Sequence, residues 1–315
     1  MNWIFIAAIS YLLLAIVNLT DKFMVDNVVK SSRLYIFLVC TLGSLIILLA
    51  PWLLVWPGIN VFLLNILAGI LFVVAQYFLY ESLRSGTASK SIILIGGSIP
   101  VFTFLFSFAF LGESFSLVQI VGGVFLLAGI FLVAFLPSER HFWEKILAKF
   151  RTNDDVANNF RYIFLAAFFY AVFFTLTKYI YSLQSFWSAF IWVRIGSLFL
   201  VLALLLIPKF RKDILSIFKR NRKKTKHQNK KTSIIFVLNQ GLGSLSFVLQ
   251  NYAIFLGSVA IVNALQGIQY GALLLLGLLF APILPRSMRE NFSFRILAQK
   301  ILAIILISLG FYFII

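Results

Sequence analysis

The stretch Gln76-Tyr77-Phe78-Leu79-Tyr80-Glu81-Ser82-Leu83-Arg84-Ser85-Gly86-Thr87-Ala88-Ser89, with Leu111-Gly112-Glu113-Ser114-Phe115-Ser116 and Gly122-Gly123-Val124-Phe125-Leu126-Leu127-Ala128-Gly129 after it, decides how this chain folds. One apolar run ends near Leu83, a second carries Pro100 in its middle, and Gly112-Glu113-Ser114 separates that run from a third reaching Phe135. At about 1.5 Å per residue, each run is long enough to cross a hydrocarbon layer of about 30 Å as a helix. The links between them are turns, so the three helices are antiparallel neighbours.

Composition extends this reading to the whole chain. Apolar residues make up 62% of 315 and charged residues 12%, a balance that marks an integral membrane protein. The runs are continuous, without the alternation of barrel strands, so the expected class is all-α. Ten spans are expected: Trp3 to Thr20, Leu34 to Val55, Val61 to Ser82, Ser91 to Leu111, Ser116 to Leu136, Tyr162 to Ser182, Phe186 to Ile207, Ser233 to Phe255, Val259 to Phe280 and Ile296 to Phe313. The first span has no basic residue before it and no small-residue cleavage pattern after it, and is expected to be retained. The lone Cys40 makes no intramolecular disulfide and reads as a packing residue.

The net charge of +17 is distributed along the membrane normal. Of the 27 Lys and Arg, 25 fall in or beside the odd-numbered connections, eleven of them between Pro208 and Thr232. The remaining two, Lys178 and Arg194, lie inside spans away from those connections and their flanks, and the even-numbered connections have none. Positive residues remain cytoplasmic during insertion, which puts the odd connections inside the cell membrane and both termini outside. The basic connection is then a topology determinant with an attraction for anionic lipid, and nucleic acid is not an expected partner. Between residues 137 and 161, Phe142, Trp143, Ile146, Leu147 and Phe150 recur at helical spacing opposite Glu144, Lys145 and Lys149; the segment suits an interfacial helix or a solvated linker.

The chain also repeats itself. Ile4-Phe5-Ile6-Ala7-Ala8 with Tyr11 returns as Ile163-Phe164-Leu165-Ala166-Ala167 with Tyr170, and Glu113-Ser114-Phe115-Ser116 returns as Glu290-Asn291-Phe292-Ser293. The order predicts two five-helix repeats, residues 1–136 and 162–315, with 137–161 as linker. Five is odd, so the second unit is inverted, as in carriers built around a central site.

On these residues the chain resembles the EamA-type members of the drug/metabolite transporter superfamily. The matching elements are Tyr77 and Tyr80, Ser82-Leu83-Arg84, the small link Ser85-Gly86-Thr87-Ala88, Pro100, Leu111-Gly112-Glu113, and Gly122 with Gly129. The second half departs from the pattern: it has no counterpart of Pro100, and its Leu-Gly-Glu equivalent is stretched by Ala281-Pro282-Ile283-Leu284-Pro285-Arg286. The resemblance implies both termini in the cytoplasm; the charge distribution implies the opposite and is followed here.

Polar side chains within spans are the candidate site, because a charge in lipid costs about 2.5 to 3.5 kcal/mol on insertion scales. Arg194 is too deep to reach water and calls for an acid, carbonyls or an anionic substrate. Glu81 is the main acid available within a span, a coupling candidate or a local partner of Arg84. Gln240, Ser244, Phe247 and Asn251 share one helix face, as do Asn263, Gln266 and Tyr270 on the next span. These amides line a cavity or join helix to helix. Gln76 is a further candidate, Pro100 is a candidate hinge or a packed kink, and Gly122 with Gly129 and Gly267 with Gly271 read as packing seams.

The expected function is a secondary carrier moving a small polar metabolite by alternating access, as a monomer or homodimer, without a cofactor. No phosphate-binding loop of the Gly-x-x-x-x-Gly-Lys-Ser/Thr kind is present to bind ATP. A membrane enzyme acting on lipid-linked substrates is the rival, but His141 and His227 lie in connections and the carboxylates are scattered. A passive channel is a third reading.

Overall fold

The computed structural model describes residues 2–27, 31–85, 88–134, 154–208, 210–212, 214, 226–279 and 294–314. The expected interfacial helix, most of the basic connection, and the Ala281 to Arg286 and Glu290 to Ser293 stretches lie outside them. The described residues form helices α1 (Asn2–Asn27), α2 (Ser32–Gly43), a 3₁₀ segment (Ser44–Leu49), α3 (Ala50–Leu53), α4 (Ile59–Ser85), α5 (Ala88–Leu111) and α6 (Leu117–Ala134). They continue with α7 (Asp154–Leu183), α8 (Phe186–Leu204), α9 (Lys226–Leu256), α10 (Val259–Ala264), α11 (Gly267–Leu279) and α12 (Phe294–Ile314). There is no strand among them.

Among the described residues, seven segments are long and apolar enough to cross a membrane: Trp3–Asp21, Ser32–Leu53, Ile59–Leu83, Leu94–Leu111, Asn159–Leu183, Phe186–Leu204 and Ile234–Leu256. Leu117–Gly129 and Ile301–Gly310 are shorter apolar helices. A helix satisfies its backbone polar groups internally, which is why lipid selects it. Two expected spans are interrupted. The second passes through the 3₁₀ segment after Gly43, and the ninth divides into α10 and α11 after Ala264. Asn263, Gln266 and Tyr270 therefore do not share one continuous helical face, because the period on which that face rested is broken between them.

The family-like motifs have local physical roles. Gly112 takes φ +65°, a left-handed conformation open to glycine, and the chain turns so that the Glu113 N–H reaches the Ser107 carbonyl at 3.2 Å. Ser116 and Gln119 then form a capping box at the start of α6. The Gln119 N–H donates to Ser116 Oγ at 3.2 Å, and the Ser116 N–H donates to Gln119 Oε1 at 3.0 Å.

Helix α4 packs along both α7 and α8, α1 along α9, α5 along α7, and α6 along α12. Between apolar helices in lipid, contact comes from close packing of small residues. At the α4–α8 seam, a Cβ on Gly69 would lie 2.4 Å from the Val193 carbonyl oxygen, and one on Gly196 would lie 2.8 Å from the Ile66 backbone. The Ser197 hydroxyl crosses the seam to the Gly69 carbonyl at 3.2 Å. The expected seam on α6 is present too: Gly129 meets Ile307 and Ala303, and Gly310 meets Leu126 and the Gly122 carbonyl. Gly271, expected to be part of a seam, faces open space.

Candidate functional site

A cavity of about 150 Å³ lies between helices of both halves of the chain. Helix α1 lines it only from Leu14 to Asp21, α4 from Phe72 to Leu83, α5 from Ile95 to Ile99, and α2 through Val39 and Gly43. On α1, α4 and α5 these residues lie between mid-length and an odd-numbered connection. The cavity therefore extends from the middle of the bundle toward that end.

At its inner end stands Arg194. Its side chain is 4% exposed, and its Nε has no hydrogen-bond partner among the described residues. Three rings hold the guanidinium instead, with its carbon 4.3 Å from the Phe247 centroid, 4.8 Å from Phe72 and 5.2 Å from Phe190. Cation–π contacts are worth about 0.5 to 2 kcal/mol each, which offsets part of the cost of dehydrating the cation. They leave its Nε–H donor unmet among the described residues, and hydrogen bonds to charged groups contribute about 1.5 to 3 kcal/mol. An anion arriving there supplies what the rings do not.

Gln76, Gln240 and Gln266, all expected site residues, line the cavity with Arg194. Gln76 Oε1 is buried without a partner, while Gln240 Nε2 donates to the Tyr35 hydroxyl at 3.5 Å. Asn251 is not part of the lining. It accepts from the Tyr181 hydroxyl at 3.1 Å and donates to the Phe247 carbonyl at 2.9 Å, so it joins α7 to α9. Asn263 is buried away from the lining, with neither side-chain polar atom partnered among the described residues. Tyr270 is buried beside Gly96, where a Cβ would overlap its hydroxyl. Pro100 sits inside α5 one turn beyond Gly96, and the Thr103 hydroxyl donates to the Ile99 and Pro100 carbonyls at 3.0 Å. Glu81 is on α4 outside the lining.

The acid that does line the cavity is Asp21. Expecting α1 to stop at Thr20 hid it, since the helix continues to Asn27 and carries Asp21 inward with Asn18 and Leu14. Its Oδ1 accepts from the Tyr35 hydroxyl at 2.5 Å and from Asn239 Nδ2 at 2.6 Å. Gln250 was missed by one position: it lines the cavity and donates to the Tyr11 hydroxyl at 3.2 Å, which in turn donates to the Val262 carbonyl at 2.9 Å. The sequence signals were the spacing of Asn18 and Asp21, and the register Gly243, Phe247, Gln250.

The opposite end of the bundle is cross-tied. Lys178 Nζ donates to the carbonyls of Ile254 at 2.9 Å, Phe255 at 3.3 Å and Gly257 at 2.7 Å, a cation on the carbonyl end of α9. Ser258, the N-cap of α10, donates from its hydroxyl to Glu113 Oε2 at 2.6 Å and accepts from the Ile261 N–H at 3.4 Å. Val55 is held by the Ser188 hydroxyl and by Trp192 Nε1, the latter at 2.9 Å. No group of three or more His, Cys, Asp or Glu side chains able to hold a metal occurs among the described residues.

No curated protein matches the chain in sequence. Among solved structures, one crystal structure shares the fold with a TM-score of 0.69 at 13% identity, over 99% of this chain and 98% of that one. Likeness at that identity speaks for the fold alone. Residues 1–135 match the EamA-like transporter family. Over those residues, which include the Leu111-Gly112-Glu113 turn, the chain is similar to the EamA-like transporter family, whose members are membrane transporters.

Proposed function

We propose that the chain is a secondary-active carrier of ten spans, in which two inverted five-helix units, 1–136 and 162–315, alternately open a central site. The pairing of helices supports this. Exchanging each span of the first unit with its counterpart in the second turns the α4–α7 pair into α9–α1, and the α5–α7 pair into α11–α1; all four pairs are in contact, while α6 packs on α12, its own counterpart. Charge supports odd connections in the cytoplasm and both termini outside. The cavity then opens toward the cytoplasm, and the cross-tied end faces outward.

The observation that carries the reading is Arg194: a buried guanidinium, without an ion pair among the described residues, in a cavity also lined by Gln76, Gln240 and Gln266. A small metabolite with an anionic group and further hydrogen-bonding groups fits this set. Asn251, bonded to Tyr181, and Tyr270, packed beside Gly96, act as supports of the site, and Asn263 lies outside the lining. Glu81 is outside the lining, so Asp21 is the better coupling candidate.

Reconstituted vesicles test the reading. A screen of anionic metabolites by thermal shift identifies a stabilising ligand, whose uptake is then measured. Arg194→Gln is expected to abolish that uptake with the melting temperature of the unliganded protein retained. Unchanged uptake removes Arg194 from the site, and flux that fails to saturate replaces the carrier by a channel.

A further inference from the structure

Helices α2 and α9 meet at one end and part at the other. They touch through the Tyr35 and Phe236 rings, 5.8 Å between centroids, and through Gln240 on the Tyr35 hydroxyl. Beyond this contact a groove of about 360 Å³ opens between them. Its rim is apolar: Leu45 is 59% exposed, Val237 56% and Leu245 50%, and all three belong to segments that cross the membrane. Its floor is polar, because Gly43, Arg194, Gln240 and Ser244 line both the groove and the axial cavity. The guanidinium, whose Nε has no partner among the described residues, is therefore reachable from the side, through a slot whose walls match lipid chains.

We propose that this slot is a lateral portal through which a long-chain carboxylate dissolved in the bilayer sets its head group on Arg194 and leaves its chain between α2 and α9. The inference rests on the reading of Arg194 as the ligand-facing cation and adds a second class of ligand, borne by the bilayer and distinct from the small polar metabolite, together with its route. A water-borne anion needs no apolar rim, and a neutral amphiphile leaves the guanidinium unmet; the pairing of rim and floor selects a molecule with both parts. The 3₁₀ segment beginning at Ser44 forms one wall, where Leu45 and Ile46 face the groove. Gly241 on α9 keeps the slot wide, since a Cβ there meets nothing within 4 Å.

The test uses the full-length protein in phosphatidylcholine vesicles with spin-labelled stearate and its methyl ester, reading the motionally restricted fraction of each. Stearate is expected to associate about tenfold more strongly than the ester, the effect of one charge-assisted contact. That preference is expected to vanish in Arg194→Gln, and in Gly241→Phe, whose Cβ has open space and whose ring narrows the slot. In parallel, butyrate added to the water phase is expected to raise the melting temperature of the unsubstituted protein and of Gly241→Phe alike. Equal association of stearate and ester, or a stearate preference that survives Gly241→Phe, overturns the portal. If butyrate still stabilises in that case, the carrier site stands without its side opening; if it does not, Arg194 is not a ligand group and both readings fall.

Discussion

Two helix contacts that correspond under exchange of the proposed halves, α4 on α8 and α9 on α2, have opposite characters. The first is closed so tightly that Gly69 and Gly196 have no space for a side chain, and Ser197 bonds across it. The second is held only at one end and leaves Gly241 facing open space. In a carrier of inverted units, one conformation is expected to show this asymmetry and its opposite partner the reverse. Under that proposal, closed and open seams would be two states of one device; in this structure glycine serves near approach at Gly69 and clearance at Gly241.

The largest expected effect comes from forcing the closed seam. Gly69→Leu drives a side chain into the α8 backbone, which does not yield as a flexible side chain would, and is expected to cost about 3 kcal/mol or more. Denaturant unfolding in detergent reads it, and a loss below about 1 kcal/mol would mean the seam is not closed as described. Smaller is the effect of loosening the far end of α9. Lys178→Met removes three contacts to carbonyls while keeping the stem of the side chain, and is expected to cost about 1.5 to 3 kcal/mol. Amide exchange should rise first at residues 253–257; uniform change along the chain would remove the cap as its cause. Smallest is the open side. Gly241→Ala adds a methyl group into space and improves helix propensity, with an expected gain of about 0.5 to 1 kcal/mol. A loss there of the size seen at Gly69 would show that the two contacts are alike.

Much of the fold was legible because lipid imposes so simple a rule. Continuous apolar runs between turns mark helices, and Leu111-Gly112-Glu113 with Ser116 and Gln119 announces a helix end and the next start. The Gly122 and Gly129 seam was legible for the same reason, since small residues one and two turns apart let backbones approach. Arg194 was legible as a cation too deep for water. What the pattern concealed were places where local signals conflict. Asp21-Lys22 reads as the start of a connection, yet α1 runs past it and buries the carboxylate against Tyr35 and Asn239. Leu265 and Gln266 hold no proline or glycine, so the break between α10 and α11 had no marker before Gly267. Asn251 and Gln250 are adjacent, and only the rotation of α9 against α7 decides which faces the cavity and which bonds Tyr181.

The aromatic cradle of Arg194 has a kinetic consequence. In a site where a resident carboxylate holds the cation, an incoming anion must first displace it, and that exchange adds a barrier to every turnover. Phe72, Phe190 and Phe247 cannot compete in this way, since a ring face attracts the charge without occupying its N–H donors. The cation is already only 4% exposed in the folded chain, so under the proposed role capture would require chiefly that the solute shed its own hydration. Release is correspondingly cheap in rearrangement, because the rings are already in place when the anion leaves.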